Sequence, residues 1–173
     1  MSPAKPAIVA DPGVARTGLS SESQAAQGAQ ARPVVPVAVG VLLRADGAFL
    51  LTSRPRGKPY AGYWEFPGGK FEEDESGPQA LARELKEELG IEIDLQSTLE
   101  WHIQRIDYPH ALVELHFYKV SVFTGTLRPL EGQELAWSHL PVQVSPVLPG
   151  TVPVLEWLAL ERGFDQPTHT DPV

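Results

Sequence analysis

Cysteine is absent from the 173-residue chain. That excludes a disulfide framework, a thiolate zinc centre and a thiol nucleophile, and it fits a reducing compartment; a cytoplasmic location is expected. Long apolar runs are also missing. None approaches the roughly 18 residues of a membrane span, and the N-terminal "MSPAKPAIVADPGVARTGLS" lacks the apolar core of a signal peptide. No membrane partner is expected. Positive charge is scarce: 14 Lys and Arg stand against 22 Asp and Glu, a net charge of −8. A polymeric nucleic-acid binder carries a basic face, so neither DNA nor RNA polymer is an expected partner. If the substrate is a small phosphate compound, so acidic a site must use metal ions to neutralise it. The remaining composition, 42% apolar and 21% charged, is ordinary for one globular domain, and a monomer is expected.

Residues 1–33 are rich in Ala, Pro, Gly, Ser and Gln without periodicity and read as a disordered tail. Residues 164–173 read as a loose end, leaving a domain over 34–163. "VVPVAVGVLL" (Val34–Leu43) is apolar and β-branched, a buried strand. Asp46-Gly47 signals a hairpin into "AFLLTS". "RPRGKPYAGYWEFPGG" is crowded with Gly, Pro and aromatics and reads as a shaped loop. Ser76 offers a helix N-cap, Gln79 completes a capping box, Pro78 fits the first turn, and Gly90 stops the helix. "TLEWHIQRI" and "HALVELHFYKV" read as strands, "ELAWSHL" as a short strand or turn, and "VPVLEWLALER" as a helix that Thr151 can cap. Strands, helix, strands, helix predict an α/β fold with a mixed sheet and helices on its faces.

The predicted helix over 77–89 has three faces. Glu84, Glu87 and Glu88 share one; Leu81, Leu85 and Leu89 form an adjacent apolar stripe; Arg83 lies beside Glu87, placed to hold a carboxylate. Like charges at i,i+4 are mildly destabilising. One reading is a solvated acidic surface laced with ion pairs. The other is a cation site, favoured because the acidic face adjoins the core stripe and follows a Gly-rich loop. Oxygen ligands without Cys or clustered His point to Mg²⁺, with Mn²⁺ as the substitute. His102, His110, His116 and His139 have no metal-ligand spacing.

Gly69, five residues, Glu75, seven residues, Arg83-Glu84-Leu85, one residue, Glu87-Glu88, one residue, Gly90-Ile91: this pattern matches the full Nudix box. The lead-in "YAGYWEFPGGK" resembles the MutT-type branch, and the likeness runs from about Val37 to Leu160. The resemblance implies an α/β/α sandwich around a mixed sheet. It implies a hydrolase of phosphoric anhydrides, converting oxidised purine nucleotides such as 8-oxo-dGTP to the monophosphate and pyrophosphate. That activity serves nucleotide-pool sanitation and mutation avoidance in DNA. It further implies that Gly69, Glu87 and Glu88 hold Mg²⁺, and that Glu84 binds metal or orients and deprotonates the attacking water. Arg83 would orient the glutamates, Glu75 would anchor the helix start, and Glu131, in "LEGQELAW", would add a later carboxylate. Arg54 and Phe66 match nucleotide-contacting positions.

Several readings stay open beside these. Tyr63, Trp64, Trp101 and Phe117 read mainly as core. Arg54 reads as exposed, in contact with a phosphate or with solvent. Where MutT-type enzymes carry a purine-reading Asn, this chain has Thr151, a shorter group that serves equally as a helix cap. "DYPHALVEL" lacks the Asp-Arg pair of that branch. The alternatives are a dinucleotide, ADP-sugar or pterin triphosphate as substrate, or a non-catalytic nucleotide-binding domain.

Overall fold

The computed structural model describes residues 32–109 and 111–170; His110 and most of the expected N-terminal tail lie outside the described residues. The fold is α/β, as the pattern of elements predicts. β1 (Val34–Leu42), β4 (Gly68–Lys70), β6 (Leu99–Asp107) and β7 (Leu112–Val120) form a sheet in the order β4-β1-β7-β6. β1 and β7 run parallel and the other neighbours antiparallel, so the sheet is mixed. A second, antiparallel sheet joins β3 (Trp64–Glu65), β2 (Phe49–Ser53) and β9 (Leu135–Ser138). β5 (Glu92–Ile93) and β8 (Phe123–Thr124) make a small ribbon.

Helix α1 spans Gly77–Leu89. Ser76 accepts from the Gln79 amide, Gln79 reaches back in a capping box, and Gly90 closes the helix at φ 71°. The Leu81, Leu85 and Leu89 stripe is fully buried and packs on Ala38, Leu42 and Val120. Helix α2, Val152–Arg162, covers the opposite face, where Val154, Leu155 and Leu158 meet Val41, Phe49 and Phe117. One helix on each side of the sheets is the sandwich that the resemblance implies.

Four expectations are corrected. The shaped loop after Ser53 contains β3 and β4, because Gly68 and Gly69 pair with Val39 and Ala38. Thr151 does not cap α2: it is buried, closes a 3₁₀ turn over Pro149–Thr151 and makes no capping bond. The end of the chain is not loose over 164–170. The buried Val142 amide needs an acceptor, and the Thr168 carbonyl provides it at 2.8 Å. The ordered domain also starts before Val34: Arg32 pairs with Asp107 and donates to the Tyr108 carbonyl at 3.0 Å, and the Pro33 carbonyl accepts from Leu112. Among the aromatics, Trp64 and Phe117 are core residues. Trp101 is half-buried against Trp157, and Tyr63 packs edge-on against Tyr60.

The contact of β4 with β1 leaves no room for a side chain at Gly68. A Cβ there would lie 2.0 Å from the Ala38 carbonyl oxygen and 2.9 Å from Val39 Cα, backbone atoms that cannot swing aside. Gly68→Ala is expected to destabilise the domain by about 1–3 kcal/mol, the range for overpacking. Thermal unfolding followed by circular dichroism checks this.

Candidate active site

β4 and α1 bring a backbone strand against a carboxylate. Glu84 is 1% exposed, and a Cβ on Gly69 would lie 2.2 Å from its carboxyl carbon. Only a glycine permits that approach. A buried carboxylate needs a partner, and Arg83 supplies one: Nη1 donates to Glu84 Oε1 at 2.7 Å. The same guanidinium donates from Nε and Nη2 to the two oxygens of Glu75, at 2.6 and 2.9 Å, and from Nη2 to the Lys70 carbonyl at 2.9 Å. Glu75 also accepts from the Glu72 amide. The Arg83 hydrogen bonds hold the Glu75 carboxyl below its ordinary value, partly opposed by desolvation. Those Glu75 bonds, with Glu84 after them, push Arg83 above its own.

Glu84 opens onto a cavity of about 360 Å³ between the two sheets. Gly69, Arg83, Glu88 and Glu131 line one part of it; Phe66, Phe117, Leu148 and Val154 line an apolar part. The loop bearing Glu131 is fixed by Gln133, which is buried. Gln133 Oε1 accepts from the Glu131 amide, and Nε2 donates to the Glu88 carbonyl at 2.9 Å. Lys58, on the opposite loop, stands 4.0 Å from Glu131.

The structure gathers Gly69, Arg83, Glu84, Glu88, Glu131, Arg54, Phe66 and Thr151 around this cavity. Two residues are not on its wall. Glu75 stands behind Arg83, and Glu87 is exposed, with Oε1 3.6 Å from Arg83 Nη1. Arg54 is not the exposed charge that its type suggested: it is 8% exposed, because Glu65 pairs with it at 2.9 Å. Glu65, Gln133 and Lys58 were not singled out from the sequence. Only the proximity of Glu65 and Lys58 to the motif hinted at them, and nothing marked Gln133. Thr151 presents its hydroxyl to the Trp64 carbonyl at 3.4 Å. His116 lies on the α1 side of β7, away from the cavity, 2.8 Å from Glu114 and beside the Phe71 ring.

The donor chemistry fits a hard divalent cation. The candidate ligands at the acidic end are the carboxylates of Glu84, Glu88 and Glu131, beside the cationic Arg83 and Lys58, and the glycine cradle brings the chain against Glu84. Among the described residues no three such side chains stand together as a finished cage. Glu84 is turned onto Arg83 instead, so a cation would compete with the guanidinium for it.

The Glu75–Arg83 fork has a pH signature. A carboxyl with a depressed folded-state value contributes stability above its ordinary value and loses it as pH falls through the folded-state one. Glu75→Gln is therefore expected to lower Tm at pH 7, and the gap to wild type should close as the pH drops below the ordinary carboxylate range. Melting curves across that window check it.

Comparison with known proteins agrees with this geometry. Residues 34–158 match the NUDIX domain model. A CTP pyrophosphohydrolase of Escherichia coli K12 is 40% identical over 119 residues, 68% of this chain and 87% of that protein. An 8-oxo-dGTP diphosphatase of Haemophilus influenzae is 38% identical over 106 residues, 61% of this chain and 76% of its own length. The solution structure of the E. coli ORF135 protein superposes with a TM-score of 0.64 at 36% identity, covering 79% of this chain and 97% of that one. MutT from Aliivibrio salmonicida and Vibrio cholerae gives 0.62 at 29%, covering 74% and 98%. With Gly69, Arg83, Glu84 and Glu88 of the box set around one cavity and the domain model matched over residues 34–158, the chain belongs to the Nudix family.

Proposed function

We propose that the protein is a divalent-metal-dependent pyrophosphohydrolase of nucleoside triphosphates, of MutT type, releasing a monophosphate and pyrophosphate. The observation that carries this reading is the placement of Glu84: a buried carboxylate held by Arg83 against Gly69, where an acidic wall meets an apolar one. The acidic wall suits a metal-bridged polyphosphate, and the apolar wall suits a base.

Glu84, Glu88 and Glu131, with the backbone at Gly69, are the groups to hold Mg²⁺ or Mn²⁺, with Glu87 at the rim. The cation, when bound, neutralises phosphate charge and lowers the pKa of water. Glu84 orients the attacking water and takes its proton at a carboxylate oxygen. Arg83 keeps that carboxylate aimed, and Glu75 keeps Arg83 aimed. Lys58 meets the incoming phosphates. Phe66, Leu148 and Val154 exclude water around the base.

The substrate class we propose is oxidised purine nucleotides such as 8-oxo-dGTP, handled as free nucleotides by a cytoplasmic monomer in nucleotide-pool sanitation. The 8-oxo-dGTP diphosphatases among the relatives support it. Cytidine triphosphate is the second reading. It is favoured by the likeness to the CTP pyrophosphohydrolase and by Thr151, whose short hydroxyl is engaged with Trp64 where a purine-reading amide would stand.

Pyrophosphate release is measured on a panel containing 8-oxo-dGTP, dGTP, CTP and an ADP-sugar, with and without Mg²⁺. Mg²⁺-dependent release is expected, with kcat/KM higher for 8-oxo-dGTP than for dGTP; a CTP optimum selects the second reading. Glu84→Gln should cut turnover by roughly 10²–10⁴-fold, as for a positioned general base. Turnover within a few-fold of wild type removes Glu84 from that role.

A further inference from the structure

His116 on β7 stands between two carboxylates. Its Nε2 lies 2.8 Å from Glu114 Oε1, and its Nδ1 lies 3.6 Å from Glu100 Oε2 on the neighbouring β6. Nδ1 is buried and has no hydrogen-bond partner. The ring also packs on Phe71, with centroids 5.3 Å apart. From β6, Arg105 donates to the second oxygen of Glu114 at 2.7 Å. From β7, the Tyr118 hydroxyl donates to Glu100 Oε2 at 3.3 Å. Arg105, with His116 after it, holds the Glu114 carboxyl below its ordinary range, so it is ionised near neutral pH. Burial, with Glu100 after it, pushes Tyr118 up to about 12 and keeps its hydroxyl a donor.

One proton on the ring cannot serve this arrangement. A neutral imidazole has a single N–H. Placed on Nε2, it satisfies Glu114 and leaves the Nδ1 lone pair facing the Glu100 carboxylate. Placed on Nδ1, it leaves Nε2 and Glu114 in contact as two acceptors. An imidazolium gives each carboxylate a charged donor, and a cation beside the Phe71 ring gains further.

The cluster meets the loop between β4 and α1 at both ends. Phe71 follows Lys70, whose carbonyl accepts from Arg83, and precedes Glu72, whose amide donates to Glu75. Tyr118 closes on Gly77, the first residue of α1: a Cβ there would lie 1.7 Å from the tyrosine oxygen. We infer that His116 is a positioning residue, an imidazolium held between Glu100 and Glu114 that braces the loop from Lys70 to Gly77 and, through it, the Arg83–Glu75 fork. The brace loosens when the Nδ1 proton leaves. A proton that the folded cluster pairs better than the unfolded chain does stabilises the fold while it is bound. The contribution is complete below the ordinary histidine value, about 6.5, and is lost as the pH rises and the proton departs.

The full chain, wild type beside His116→Gln and Glu100→Gln, tests this in three ways. Nitrogen-15 NMR of the wild-type imidazole reads its protons directly. Both ring nitrogens of His116 are expected to be protonated at about pH 7.5, where an ordinary histidine is mainly neutral. Melting curves at about pH 6 and about pH 9 bracket the transition. Wild type is expected to melt a few degrees above each variant at the lower pH, and the gap should close at the higher. The Arg83 Nε–H resonance, set by its bond to Glu75, reads the fork itself; at the lower pH it should move toward that of free arginine in both variants. A bare ring nitrogen in wild type at about pH 7.5 overturns the inference. So does a melting gap that is absent or equal at the two pH values, or an Arg83 signal unmoved in both variants. None of these readouts uses turnover, so failure of the proposed function, seen as no pyrophosphate released from any triphosphate, is a separate result.

Discussion

The site depends on one guanidinium. Arg83 joins Glu75, Glu84 and the Lys70 carbonyl, and so ties the helix start, the buried carboxylate and β4 together. Burying Glu84 alone would be prohibitive; burying it with a bonded Arg is tolerable, and removing one partner of such a pair costs about 3–5 kcal/mol. The glycine at position 69 matters for the same reason, since any side chain there would displace the carboxylate. The fixed geometry follows from hydrogen bonds and steric exclusion, and the rest of the cavity is arranged around it.

Helix α1 serves both structure and site because its faces are separate. Its leucines are buried under Ala38, Leu42 and Val120, which sets the rotation of the helix about its axis. Once that rotation is set, Glu84 and Glu88 must turn toward the cavity. The second carboxylate source, the loop carrying Glu131, is brought in by Gln133 bonding to the Glu88 carbonyl. The acidic wall is thus assembled from one helix and one loop with a hydrogen bond between them. The apolar wall comes from the core itself: Phe66 packs on Phe49 with ring centroids 5.8 Å apart while still facing the cavity.

Elements written by local chemistry were legible in the sequence. The capping box at Ser76 and Gln79, the stop at Gly90, the hairpin at Asp46-Gly47 and the three-faced helix all rest on residues a few positions apart. Contacts between distant segments were not. The burial of Arg54 depends on Glu65 and on the Pro59 carbonyl, which the chain meets only after the loop has folded. Thr151 looked like a cap because a hydroxyl precedes a helix; the 3₁₀ turn before it put that hydroxyl on Trp64 instead. The end of the domain was misjudged because its polar composition gave no sign that Thr168 answers the Val142 amide. Gln133 is a single polar residue in a loop, and its role emerges only from the tertiary contact.

We propose that Glu84 and Glu88 on α1 form one cation site with Gly69 and Glu131. A cation that binds the folded state alone raises stability by RT ln(1 + [L]/Kd), about 2.7 kcal/mol at a hundredfold excess over Kd. The most direct measurement is the Tm of wild type and of Glu88→Gln over a Mg²⁺ titration, with choline chloride matching ionic strength. Wild type is expected to show a saturable rise, and the variant a right-shifted or flattened one. A wild-type Tm indifferent to Mg²⁺, or the same rise in both proteins, would contradict it.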